Sequence, residues 1–156
     1  MESGMLLGVI AAPLGNLGTF NIGARSIERV ALSSDDLAKR LLRLATRHGD
    51  LGIRLEREAR LRDGDVVYAD DERVIAIEIV ADEVLVFRPA SIAQALEIAH
   101  ALGNRHLPVQ FDGDTLVARY DYLVEELFVE RGVAYSREQR TLTSSFRHAH
   151  APHSHE

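Results

Sequence analysis

The chain has 156 residues, 46% hydrophobic and 27% charged, a composition that suits one globular domain or two small ones and excludes a disordered or fibrous chain. It contains no cysteine, so disulfide frameworks, Cys-based zinc sites, iron–sulfur clusters and thiol nucleophiles are excluded. Eighteen basic residues against 24 acidic ones give a net charge of −6, which argues against a nucleic-acid footprint, and no apolar run approaches the roughly 20 residues of a membrane helix.

In chain order, the apolar stretch 5–14 follows Glu2, with no Lys or Arg before Arg25, which is the wrong flank for a secretory signal. Residues 6–12 therefore read as a buried strand of a cytoplasmic protein. Gly15, Gly18 and Gly23 mark turns ahead of a strand at 26–32. Ser33, Ser34, Asp35 and Asp36 can cap a short helical turn, which passes into a strand ending near Thr46. His48-Gly49-Asp50 reads as a hairpin turn into 51–55. Arg62-Asp63-Gly64-Asp65 is a further turn, followed by strands at 66–69 and 74–80. Asp63, Asp65, Asp70 and Asp71 lack the Gly-and-Glu spacing of a calcium loop and read as solvated turns.

The alternating pattern breaks at Val80-Ala81-Asp82-Glu83, where a domain boundary is expected, and a strand resumes at 84–88. Ser91 with Gln94 three residues on forms a capping-box pattern. Ile92, Ala95, Leu96, Ala99 and Leu102 mark one helical face, and Gly103 supplies a stop. Residues 109–119 read as a hairpin whose Asp112-Gly113 pair favours a type I′ turn. Asp121 caps a second helix with Leu123, Val124, Leu127 and Phe128 inward and Glu125, Glu126 and Glu130 solvated. Gly132 ends that helix, and 133–142 is a last strand. The predicted fold class is α+β: an N-terminal all-β domain over 1–82, a ferredoxin-like βαββαβ domain over 83–146, and a disordered His-rich tail over 147–156.

The histidines carry the chemistry. Of seven in the chain, His148, His150, His153 and His155 fall in the last nine residues, spaced by Ala, Pro and Ser unlike an uninterrupted tag. A short His-rich tract reads as metal-binding. His48 and His100 read as surface residues. His106 lies between a helix stop and a strand, where the residues themselves leave two readings open: a plain connection, or a histidine held on short, punctuated backbone. No phosphate-binding glycine loop, no dinucleotide fingerprint and no His-Glu-x-x-His is present.

The run Ala101-Leu102-Gly103-Asn104-Arg105-His106 ahead of a hairpin strongly resembles the central motif of the UreE-type urease accessory proteins, the nickel metallochaperones. Leu61-Arg62-Asp63-Gly64-Asp65, Leu116–Asp121 and the His-rich end after Phe146 are similar as well. The resemblance implies a non-enzymatic homodimer that delivers Ni²⁺ to apo-urease, with a urease accessory GTPase complex as partner, a polypeptide-binding first domain, and neither nucleic acid nor membrane. It implies His106 as metal ligand, with His148, His150, His153 and His155 as the tail ligands and Zn²⁺ and Cu²⁺ as ions the same donors accept. Some members carry a histidine pair before the second helix, where this chain has Tyr120 and Tyr122. Imidazole suits Ni, Cu and Zn alike, so ligand type alone does not select nickel. One fixed histidine per subunit, met by its symmetry mate, would make an incomplete anchor that mobile tail histidines complete and leave one at a time. The alternatives are a divalent-metal buffer or storage protein that uses the tail, and an enzyme with His106 as acid or base.

Overall fold

The computed structural model describes residues 4–146, which divide into two compact units. The first comprises residues up to Ala81 together with Thr141–Ser145, and the second comprises Asp82–Arg140 with Phe146. The tail, its four histidines and its expected disorder lie outside the described residues.

The first unit is built from two sheets. One joins β1 (Leu6–Ile10), β5 (Gly49–Arg54) and β4 (Leu41–Thr46) in the order β1-β5-β4. The other joins β2 (Gly15–Asn16), β6 (Asp65–Ala69), β7 (Arg73–Ile79) and β3 (Ser26–Leu32) in the order β2-β6-β7-β3. The two hairpins, β4–β5 and β6–β7, fall where the turn residues predict them. The pairings β1 with β5 and β3 with β7 are parallel. β7 is flanked on both sides and reads as a near-continuous apolar run for that reason. Leu44, Leu51 and Ile53 of one sheet share a core with Leu32, Val67, Ile75 and Ile77 of the other. A short 3-10 turn, Ser34–Ala38, is capped by Ser33, whose hydroxyl accepts from Asp36 N while Asp36 Oδ2 accepts from Ser33 N.

The N-terminal strand is not buried as expected. β1 is a sheet edge, with Leu6 61% and Val9 62% exposed. Its apolar character serves pairing and partial burial of Leu7 and Ile10 against the core, not enclosure on both faces. Gly49 makes the pairing possible. At φ 135° it brings the hairpin against β1, where a Cβ would stand 2.2 Å from Met5 O, and Asp50 N donates to that carbonyl at 2.9 Å.

The second unit runs β8 (Asp82–Phe87), α1 (Ile92–Asn104), β9 (Val109–Asp112), β10 (Thr115–Arg119), α2 (Tyr122–Glu130) and β11 (Tyr135–Arg140). Its sheet is antiparallel in the order β11-β8-β10-β9. Leu85, Phe87, Leu116 and Ala118 alternate along β8 and β10 and share a core with Ile98 and Leu102 of α1 and Val124, Leu127 and Phe128 of α2. Phe128 is central: its ring lies 5.5 Å from those of Phe87 and Tyr135.

Three local expectations shift. The inward face of α1 is Ile98 and Leu102, while Ile92 and Leu96 are 80% and 67% exposed. Apolar residues flank both sides of this helix, so spacing alone does not single out the packed side. Leu123 of α2 is likewise exposed. At the β9–β10 hairpin the two loop residues are Gly113 and Asp114, with Gly113 at φ 57° and Asp114 not in the positive region. A type I′ turn needs both residues positive, so the pattern is that of type II′ with Gly first.

Candidate metal site

Ser91 starts α1 as predicted, its Oγ accepting from Gln94 N at 3.1 Å, but Gln94 Oε1 accepts from Ala90 N and not from the cap residue. The other end of α1 places His106. The helix continues through Gly103 and Asn104, and Arg105 is its C-cap. His106 then stands at φ 54°, the one non-glycine with positive φ among the described residues. His106 N donates to Gly103 O at 3.0 Å, and Leu107 N donates to Leu102 O at 3.2 Å. This is the Schellman closure, with His106 at the left-handed position that glycine usually takes. Gly103 is therefore not the stop. The helix closes three residues later, at a histidine, because Leu107 joins the core that holds Leu102. Spacing could have pointed to this: an apolar pair five residues apart, followed by Pro108, is what such a closure needs.

His106 is solvent-exposed at the end of the helix. Exposure suits a ligand that must meet an ion and donors from elsewhere. His100 lies back along α1, where the amide nitrogen of Asn104 donates to its Nε2 at 3.3 Å. That bond occupies one ring nitrogen with a helix neighbour. His48 is exposed in the β4–β5 turn of the first unit, its N–H donating to Thr46 Oγ1 at 3.1 Å. Among the described residues no three His, Asp or Glu side chains cluster as a set able to hold a metal ion. His106 therefore belongs to no such set within that span, and His148, His150, His153 and His155 lie outside it.

The position before α2 is occupied differently. The Arg137 guanidinium lies over the Tyr120 ring, 3.8 Å from its centroid, and Arg137 Nε donates to Glu83. Tyr135 OH donates to Glu125 at 3.0 Å, and that bond to a carboxylate raises the phenol's pKa. The carboxylates expected to be solvated are in part tied down here: Glu125 is half-buried in this network. A protein cation already covers the Tyr120 face, and neither Tyr120 nor Tyr122 supplies an imidazole.

The acidic turns of the first unit are also structural. Asp65 is only 5% exposed, its Oδ1 accepting from Asn16 Nδ2 at 3.0 Å and its Oδ2 from Arg62 N at 2.8 Å. Asp63 Oδ1 accepts from Ile79 N at 2.7 Å. Asp70 Oδ1 accepts from Glu72 N and Arg73 N, both at 2.9 Å, and these bonds hold its pKa below the usual carboxylate value. These side chains satisfy backbone donors that the turns leave open; Asp65 is buried and Asp70 half-buried for that reason, while Asp63 and Asp71 are exposed as the sequence suggests.

Comparison with known proteins returns one family for both units. The family models for the N-terminal and C-terminal domains of the UreE urease accessory protein match residues 10–80 and 72–156. The chain is 47% identical over 135 residues to the urease accessory protein UreE of Bacillus sp. (strain TB-90), covering 86% of this chain and 91% of that one. It is 45% identical to the protein of the same name from Geobacillus kaustophilus (strain HTA426), covering 90% of this chain and 95% of the other. A third, from Staphylococcus saprophyticus, is 38% identical over 95% of this chain and 99% of its own.

Proposed function

The chain belongs to the UreE family of urease accessory proteins, and from that premise we propose that it is a nickel-binding metallochaperone that delivers Ni²⁺ to apo-urease during maturation of the urease active site. The observation that carries this reading is His106: an exposed imidazole on a closed helix end that belongs to no set of three or more His, Asp or Glu side chains among the described residues. Ni²⁺ is here a cargo, so an incomplete donor set on one chain is what transfer needs. The remaining donors come from His106 of a second copy in a homodimer and from His148, His150, His153 and His155. A two-fold axis passing through the ion brings the same residue from both chains to it.

The finer parts of the reading follow. The protein acts in the cytoplasm, as a carrier and not a catalyst, with apo-urease and the urease accessory GTPase complex as partners, and its first unit holds a polypeptide. No helix among the described residues is long and apolar enough to cross a membrane. The second unit is ferredoxin-like, a reading supported by the strand order β11-β8-β10-β9 around two helices. Zn²⁺ and Cu²⁺ compete for the same imidazoles.

Calorimetric titration of Ni²⁺ into intact, tail-deleted and His106→Ala protein tests the reading. One tight site per dimer plus weaker sites is expected. Tail deletion lowers the stoichiometry, and His106→Ala removes the tight site while the fold persists. Protons compete with the ion for imidazole, so the affinity falls as pH is lowered. A tight site unchanged in His106→Ala would overturn the assignment and leave the tail as a metal buffer. Activation of apo-urease by the loaded protein separates delivery from storage.

A further inference from the structure

His106 occupies a place that helices give to glycine, and the same unit supplies the comparison. α2 ends with Gly132 at φ 62°, Gly132 N donating to Val129 O and Val133 N to Phe128 O, both at 3.1 Å. α1 ends with the same bond pattern, residue for residue, but with His106 where α2 has Gly132. The left-handed conformation crowds the Cβ of an L-residue against a carbonyl oxygen, and glycine has no Cβ to crowd.

Local preference does not select this position. Gly103 and Asn104 both adopt left-handed backbone more readily than histidine, yet the chain passes through both as helix and turns only at His106. What distinguishes position 106 is its neighbours. Leu102 is buried, and Leu107 packs against the same core cluster, which is the apolar pair that accompanies a Schellman closure. Pro108 then disfavours helical backbone at Leu107, so the helix has no continuation.

We propose that Leu102, Leu107 and Pro108 are positioning residues that force the metal-binding histidine into a left-handed conformation, presenting its imidazole on backbone of a single geometry at the expense of fold stability. The inference rests on the reading of His106 as the nickel ligand. A donor already fixed loses less conformational freedom when the ion arrives, so the closure contributes to affinity without touching metal.

The test uses the full chain and Ni²⁺ alone. His106→Gly and His106→Ala both lack the imidazole, so the difference between them isolates the backbone. The glycine variant should unfold about 4–8 °C above the alanine variant. Leu107→Ala and Pro108→Ala keep the imidazole and should weaken the tight Ni²⁺ site by about 10–100-fold, as outer-shell changes do. The amide-to-α coupling and Cα shift of His106 should move with the affinity, and Leu107→Met should restore both. An alanine variant at 106 as stable as the glycine variant overturns the strain. A Leu107→Ala protein that melts lower yet keeps its Ni²⁺ affinity and its His106 coupling overturns the positioning role. If His106→Ala itself retains the tight site, the nickel assignment fails, and the melting comparison still decides the backbone part.

Discussion

At Asp65 one nearly buried carboxylate holds a β-turn together, accepting from Arg62 N and Asn16 Nδ2. Asp65→Ala leaves Arg62 N without this partner in a half-enclosed turn, and a loss of about 1–3 kcal/mol is expected by urea unfolding, without change in Ni²⁺ stoichiometry. Other carboxylates set the acid limit. Asp36 is held below its ordinary pKa first by its bond from Lys39, Asp70 first by the backbone N–H of Glu72, and Glu138 first by the Ser136 hydroxyl. A carboxyl with a lower pKa folded than unfolded stabilises the fold above its unfolded value near 4, and that contribution fades as pH falls through the lowered folded value. Thermal stability should therefore be level above about pH 5 as far as these groups are concerned and decline below about 4. Replacing all three by their amides should flatten the decline.

Elements in this chain are closed by particular residues more than by propensity. Asp121 caps α2 through Leu123 N at 2.8 Å, and Ser91 caps α1, both as their sequence positions predict. Gly49 is the most exacting element-scale residue, since a methyl group there would strike Met5 O of the neighbouring strand. Gly49→Ala should destabilise the protein by more than about 1 kcal/mol and raise amide exchange along β1 and β5 before the rest. How far these features were legible varies with their range. Caps, hairpins and the Gly103-Asn104-Arg105-His106 run lie within a few residues of sequence and were visible there. The inward face of α1 and the turn type at Gly113 are not legible there, because the first depends on which apolar flank meets the sheet and the second on which of two turn residues takes positive φ.

At the scale of the whole molecule, two cores made of different residues predict two separable losses. Phe128→Ala should remove about 3–5 kcal/mol from the second unit, and Ile75→Ala about 2–5 kcal/mol from the first. Calorimetry should show each variant shifting its own part of the transition, with the other part unmoved. A single coincident shift in both variants would contradict this.

Composition, caps and turns make an α+β chain with a β-rich first half readable from the sequence by itself, because each is written in residues close together. Only the tertiary structure decided that Ser26 pairs with Arg73 and Leu6 with Asp50 in parallel, since apolar periodicity marks a strand without naming its partner. It also decided that Asp65 is buried and that the helix turns at His106 and not at Gly103. That choice belongs to Leu102 and Leu107 seeking one core, a pull that no local preference of Gly, Asn or His expresses.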